Sequence, residues 1–327
     1  MDLLEAIRHN LLSPAPLFFA LGLLAAAAKS DLKLPEALYS SLTIYLLAAI
    51  GFKGGAAIQE AGLGVVWLPV LVAAVLSAAI PLWTYPVLRF LGRFPASDAA
   101  SIAAHYGSVS AVTFTVATGF LANTSVPYEG YSSALLAIME SPAILVGVLL
   151  GKMTEGPGNP GPGSSLREVL REALLGKSVV LLVGALLIGF LCGKSGLEKV
   201  GGFFVAPFQG VLALFLLELG LVAGRRLRDL RRAGPFLIAF GVLIPVVHGA
   251  VGVAIGLTIG LSPGGATLLG TLCASASYIA APAAMRLALP DANPTLSLAA
   301  SLAITFPFNV SLGIPLYHEM AMRWSTP

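Results

Sequence analysis

Two short polar stretches interrupt apolar segments at matching places in the two halves of the chain. The first is Ala104-His105-Tyr106-Gly107-Ser108-Val109-Ser110-Ala111-Val112-Thr113, and the second is Cys273-Ala274-Ser275-Ala276-Ser277-Tyr278-Ile279-Ala280-Ala281-Pro282. Pro95 stands ten residues before His105, and Pro263 stands ten before Cys273. Small and hydroxyl residues weaken a helix locally and free backbone N–H and C=O groups. The setting makes those groups consequential. The 327 residues are 57% hydrophobic and 11% charged, against about 25% charged in soluble domains, which reads as an integral membrane protein. Lipid cannot satisfy a freed backbone group, so both stretches must face protein or a water-filled cavity. Either stretch alone reads as small-residue helix packing. The pair, at matching places, reads as the discontinuous helices on which secondary transporters build their sites.

Apolar runs place ten membrane segments near 14–28, 36–58, 64–90, 97–121, 131–152, 178–193, 204–224, 235–261, 265–289 and 295–322. Residues 1–13 are mixed in character and are expected at the membrane interface. The Gly/Pro run at 156–163 holds neither helix nor strand and reads as a linker. A short charged amphipathic helix, with Arg167, Glu168, Arg171 and Glu172, is expected over 165–175. The halves repeat in order. Lys29-Ser30 matches Lys194-Ser195, Gly51 and Gly55 match Gly220 and Gly224, and Pro95 matches Pro263, all 165 to 169 residues apart.

Charge sets the orientation. With the N-terminus outside, 14 of the 19 lysines and arginines fall on the linker side, as cytoplasmic loops require. Five segments per half is odd, so the second half is inverted. The expected fold is an all-α membrane protein: ten transmembrane helices as a 5+5 inverted repeat with broken fourth and ninth helices. The first repeat is 1–152, the linker with its amphipathic helix 153–177, and the second repeat 178–327. Both termini are expected outside, in a multi-pass protein of the cytoplasmic membrane.

Few residues inside these segments carry chemistry. Glu140, in Met139-Glu140-Ser141-Pro142, places a carboxylate beside carbonyls that Pro142 frees, a setting that suits Na⁺ or a proton. Glu218 is expected to pair with the basic end of its own helix, Arg225 and Arg226. Lys53 reads as a snorkelling cation near the outer end and His248 as a packing and hydrogen-bonding group. His105 directly precedes the first polar stretch and is a candidate neighbour of the site. Cys192 and Cys273 read as buried packing residues. Gly107, Ser108, Val109, Ser110, Ala111 and Thr113 from the first stretch, with Ser275, Ala276 and Ser277 from the second, are candidates to bind a small anion. They offer hydroxyls and free N–H groups at half-helix starts. Glu140, Ser110, Tyr278 and Asn309 are candidates for a coupling ion. There is no Gly-x-Ser-x-Gly elbow and no His-Glu-x-x-His, so an enzyme is not expected. No basic stripe interleaved with aromatics suggests nucleic acid.

Four further stretches carry a family resemblance: Ile50-Gly51-Phe52-Lys53-Gly54-Gly55-Ala56-Ala57-Ile58, Pro245-Val246-Val247-His248-Gly249, Met285-Arg286-Leu287-Ala288-Leu289-Pro290-Asp291-Ala292-Asn293-Pro294 and Gly313-Ile314-Pro315-Leu316-Tyr317. Through them the chain resembles the sodium-dependent bicarbonate transporters of the SbtA type over nearly its whole length. The resemblance implies a core and a gate domain, a homotrimer, a small-anion site where the fourth and ninth segments cross, sodium nearby and no other cofactor. It also implies a PII-like cytoplasmic regulator, for which the linker here is short. Two departures stand out. Where the family has Gly-Ser-Thr after the first crossover serine, this chain has Ala111-Val112-Thr113. Where the second crossover has an aspartate, this chain has Tyr278. The resemblance thus implies sodium-dependent bicarbonate uptake. A proton-coupled or different-anion carrier, and a non-transporting receptor that keeps the fold, are the alternatives.

Overall fold

The computed structural model describes residues 3–154, 166–226 and 230–325. The Gly/Pro run at 156–163, Ser165 and Arg228 lie outside the described residues, as do the side chains of Arg226, Arg231 and Arg232. Among the described residues the chain is helical throughout, with no strand. In order the helices are α1 (Leu3–Leu11), α2 (Pro14–Ala27), α3 (Glu36–Ala61), α4 (Leu63–Leu91), α5 (Ala96–Gly107), α6 (Ala111–Asn123), α7 (Ser132–Met139) and α8 (Pro142–Thr154). After the linker come α9 (Leu166–Leu175), α10 (Lys177–Phe204), α11 (Phe208–Arg226), α12 (Leu230–Thr258), α13 (Pro263–Ala274), α14 (Ala280–Ala288) and α15 (Pro294–Ser325). Seven helical spans are long and apolar enough to cross a membrane: α3, α4, the bent α7–α8 unit, α10, α11, α12 and α15. Leu71 and Val75 on α4, and Leu187 and Leu191 on α10, are exposed. Apolar faces of that kind belong against lipid, and the protein is an integral membrane protein.

Two helix pairs pack unusually close. On α3, a Cβ added at Gly51 would stand 2.5 Å from Leu182 O, and one at Gly55 would collide with Leu186 O, both on α10. On α11, a Cβ at Gly220 would collide with Phe19 O of α2. Without a hydrophobic driving force between helices in lipid, such small-residue faces let backbones approach and gain dispersion contacts. The glycines that matched between the halves therefore make matching contacts, α3 on α10 and α11 on α2.

The remaining helices make up a second set of contacts. There α4, α5 and α8 pack together, as do α12, α13 and α15. Proline shapes its long members. α4 widens into a π-helical turn over Val87–Leu91 after Pro86, and α15 widens over Ala299–Thr305 and Asn309–Gly313 on either side of Pro307. A proline removes one N–H from the ladder, and a wider turn takes up the displaced carbonyls. Asn309 thus sits in a widened turn of a continuous helix.

α1 is tied to the protein at Asn10, which is buried and donates to Val310 O at 2.5 Å. Some local expectations need correction. α10 runs eleven residues past the expected end of the sixth segment, with Gly193 (φ 60°, ψ −158°) as a bend that a side chain would strain. Cys192 is exposed, and only Cys273 is buried. Glu218 does not pair with Arg225, whose guanidinium donates to Leu32 O. Seven residues on a helix put two side chains nearly two turns apart, beyond the reach of an i,i+4 pair. His248 behaves as expected, buried and accepting from Trp83 Nε1 at 2.9 Å.

Candidate functional site

The chain stops being helical at two places in the interior, 108–110 and 275–279. Ser108 (φ −85°, ψ 146°) and Ser110 (φ −112°, ψ 112°) are extended. Ser110 restarts the helix, because its Oγ accepts from Thr113 N–H at 3.1 Å as an N-cap. In the second break Ser275 is extended (φ −79°, ψ 165°), and Ser277 Oγ accepts from Ala281 N–H in the first turn of α14.

The breaks satisfy each other. Ser277 N–H donates to His105 O at 2.8 Å and to Ser108 O at 3.1 Å. Ser110 N–H donates to Ser275 Oγ at 3.0 Å, and that hydroxyl donates to Leu272 O at 2.8 Å. Each such bond nets about 0.5–1.5 kcal/mol when made, but a buried group left unpaired costs about 1–3 kcal/mol. Neither break is tolerable in an apolar interior without the other.

A third interruption, between α7 and α8, lies alongside. Pro142 ends the regular ladder there, so Met139 O and Ala143 N–H no longer meet. Ser77 of α4 bridges them: its Oγ donates to Met139 O at 2.7 Å and accepts from Ala143 N–H at 3.2 Å. Ser108 Oγ donates to Glu140 O at 2.8 Å. Sequence reasoning missed Ser77. Its signal was a single hydroxyl in a long apolar run, and its meaning depended on a proline in another helix.

Glu140 is held at this junction, 5% exposed, and its Oε2 has no hydrogen-bond partner. It lines a narrow cavity of about 10 Å³ with Leu47, Val109, Ser110, Ala111, Ser178, Ser277, Tyr278 and Ile279. That is room for about one water. The Tyr278 side chain lines this cavity. Its hydroxyl accepts from Ser110 Oγ at 3.1 Å, and its ring packs edge-on to Phe306, which packs edge-on to Phe19 of α2.

The structure sorts the candidate residues. Val109, Ser110, Ala111, Ser277, Tyr278 and Glu140 share the cavity. Ser108 and Ser275 spend their hydroxyls on backbone carbonyls beside it. Gly107 lies against Pro81 and Ala143, where a Cβ would stand 2.6–2.7 Å from them. Ala276 points into an apolar cluster with Tyr106 and Ile102. Thr113 is buried one turn into α6. Asn309 spends its amide as a brace, donating to Ala274 O at 2.9 Å and accepting from Tyr317 OH at 2.8 Å. The His105 ring turns to Ser101 O, so His105 reaches the second break only through its backbone. Leu47 and Ser178, on α3 and α10, also line the cavity and carried no sequence signal of their own.

Chemically the cavity offers one carboxylate, four hydroxyls and an apolar wall. That set suits a cation held by Glu140 beside a small polar solute at the breaks. The protein-family model described as Na⁺-dependent bicarbonate transporter superfamily matches residues 14–322. No curated protein matches the chain.

Proposed function

The chain belongs to the Na⁺-dependent bicarbonate transporter superfamily, and on that premise we propose that it is a secondary transporter carrying bicarbonate together with Na⁺. One observation carries the reading. Two helix breaks interlock in the interior beside Glu140, a buried carboxylate with a free oxygen. In this account Ser110, Ser277 and the backbone around Val109 and Ala111 receive the anion, while Glu140 holds the cation, with Ser110 and Tyr278 as neutral oxygen donors. A bound cation offsets the repulsion between Glu140 and an anion, so each ion favours the other, and that mutual preference is the physical content of coupling.

The architecture we propose is a 5+5 inverted repeat, residues 1–152 and 178–327 about a linker at 153–177. Beside the seven long spans it counts α2, the α5–α6 pair and the α13–α14 pair. The matched glycine contacts, α3 on α10 and α11 on α2, support it. They also suggest the moving parts, with those four helices as one body and the helices around the breaks as the other.

The test is uptake of labelled bicarbonate into liposomes holding the purified protein, with and without an inward sodium gradient. The reading expects gradient-driven accumulation. Equal uptake of bicarbonate by empty liposomes, under every gradient, refutes it. A second reading rests on Tyr278, which stands where the family pattern has an aspartate and already engages Ser110. In that reading Glu140 carries a proton, and uptake follows a pH gradient in place of a sodium gradient.

A further inference from the structure

Each broken helix is held at both ends. α5 and α13 finish at the crossover, where the breaks bond to each other, and each begins at a carboxylate. Asp98 stands in the first turn of α5. It is buried, and its Oδ1 accepts at 2.6 Å from the N–H of Asn293, the N-cap residue of α15. Glu129, in the loop before α7, serves α13 in the same way. Its Oε1 accepts from Ser262 N–H at 2.7 Å, and its Oε2 from the Ser262 hydroxyl at 3.2 Å. Ser262 is the N-cap of α13, its Oγ accepting from Gly265 N–H at 3.1 Å.

Two observations set these contacts apart from ordinary caps. They join distant parts of the chain: 195 residues separate Asp98 from Asn293, and 133 separate Glu129 from Ser262. The fit around Glu129 also depends on glycine. A Cβ at Gly265 would collide with its Oε2, and one at Gly264 would collide with Pro127 O of the same loop. A carboxylate at a helix start meets unpaired N–H groups and the positive end of the dipole, and such charge-assisted bonds are the strong ones.

The two clasps match. Asp98 joins the start of α5 to the start of α15, and Glu129 joins the approach of α7 to the start of α13. In each, the helix that enters one break is tied to the helix that follows the break in the other half of the chain. α5 and α13 are both 12 residues long. A helix of that length is a rod of about 18 Å, so a shift at its start arrives at its end.

We propose that Asp98 and Glu129 are positioning residues: their clasps set the depth of α5 and α13, thereby fix Ser110 and Ser277 at the crossover, and stay closed while the protein works. Their bearing on uptake rests on the transport reading; their hold on the crossover does not.

Hydrogen exchange of the full chain in detergent, read at the Ser110 and Ser277 amides, tests that hold. Asp98→Ala and Glu129→Ala should speed exchange at both amides about tenfold or more, as loss of a bond to a charged group implies, while amides of α3 and α10 keep their native rates. Asp98→Asn keeps an acceptor oxygen and should restore most of the protection. Native exchange at the crossover in both alanine variants overturns the proposal, and so does equal acceleration in α3 and α10. In liposomes the alanine variants should raise the half-saturating bicarbonate concentration more than they lower the maximal rate. Closure is tested in a Cys192→Ser background by Glu129→Cys with Ser262→Cys, joined by a short, cleavable bifunctional thiol reagent. The linked protein should transport as the native protein does. A linked protein that is silent, and recovers when the link is cleaved, would make the clasp a gate that opens and overturn the proposal. Faster exchange at the crossover in the alanine variants, with no bicarbonate uptake by the native protein, supports the clasps and fails the transport reading instead.

Discussion

The first break spans 108–110 and the second 275–279, and they meet the same physical problem with different chemistry. In the first, a serine side chain does both jobs, since Ser110 Oγ caps α6 and reaches across to Tyr278. The second is longer, braces its entering helix from outside through Asn309, and fills its excess length with an aromatic ring. The first break therefore supplies polarity, and the second supplies bulk. In the transport reading, a ligand that takes the Ser110 hydroxyl must first displace Tyr278.

The comparison breaks most sharply at Ser110. Ser110→Ala removes the cap of α6 and the bond to Tyr278, and caps of this kind are worth about 0.5–2 kcal/mol. Bicarbonate uptake should fall about tenfold or more, the loss that corresponds to about 1.4 kcal/mol. An unchanged initial rate would show that the first break supplies no ligand. Tyr278→Asp exchanges a ring for a carboxylate and restores the residue that the family pattern has there. It should raise sodium-dependent uptake several-fold, measured beside the native protein in the same liposome preparation. A fall would make the phenol a working part of the site.

Ser77 gives a smaller, structural test. It bridges the interruption between α7 and α8, beside the first break, and Ser77→Ala leaves Met139 O and Ala143 N–H unpaired at a buried site. The expected destabilisation is about 1–3 kcal/mol, read as a lowered Tm, with sodium dependence retained in the folded fraction. If Tm does not move, the bridge seen at Ser77 is dispensable.

Much of this was legible beforehand, for a physical reason. Clusters of Ser, Gly and Ala inside an apolar run disfavour the helix locally, and α5 and α13 do end at the two polar stretches, at Gly107 and Ala274. The matched glycines were visible too, although only their packing against carbonyls of α10 and α2 explains them. Hidden were the residues whose role depends on a second element. Ser77 matters because Pro142 disrupts a helix it touches, and Ser178 because α10 begins beside the crossover. Asn10 lay in a stretch of mixed character, and its bond to Val310 O depends on the widened turn of α15. Glu218 misled because charge pattern along one helix says nothing about which face is buried.

The smallest expected effect concerns the frame in which both breaks are read. Gly161→Cys, in the linker, should leave transport unchanged and should resist a membrane-impermeant thiol reagent applied outside intact cells. Cys192, exposed on α10, must first be replaced by Ser to remove its own signal. Ready labelling at 161 would invert the orientation.

The central claim is that Glu140 holds the cation that draws bicarbonate to the crossover. Glu140→Gln keeps the shape and removes the charge, so the decisive measurement is the sodium dependence of bicarbonate uptake by this variant and the native protein, at matched amounts of folded protein. The account predicts that the native rate rises with sodium and that the Glu140→Gln rate is low and indifferent to it. A variant that retains the native sodium dependence would contradict the account and leave Glu140 as a structural residue.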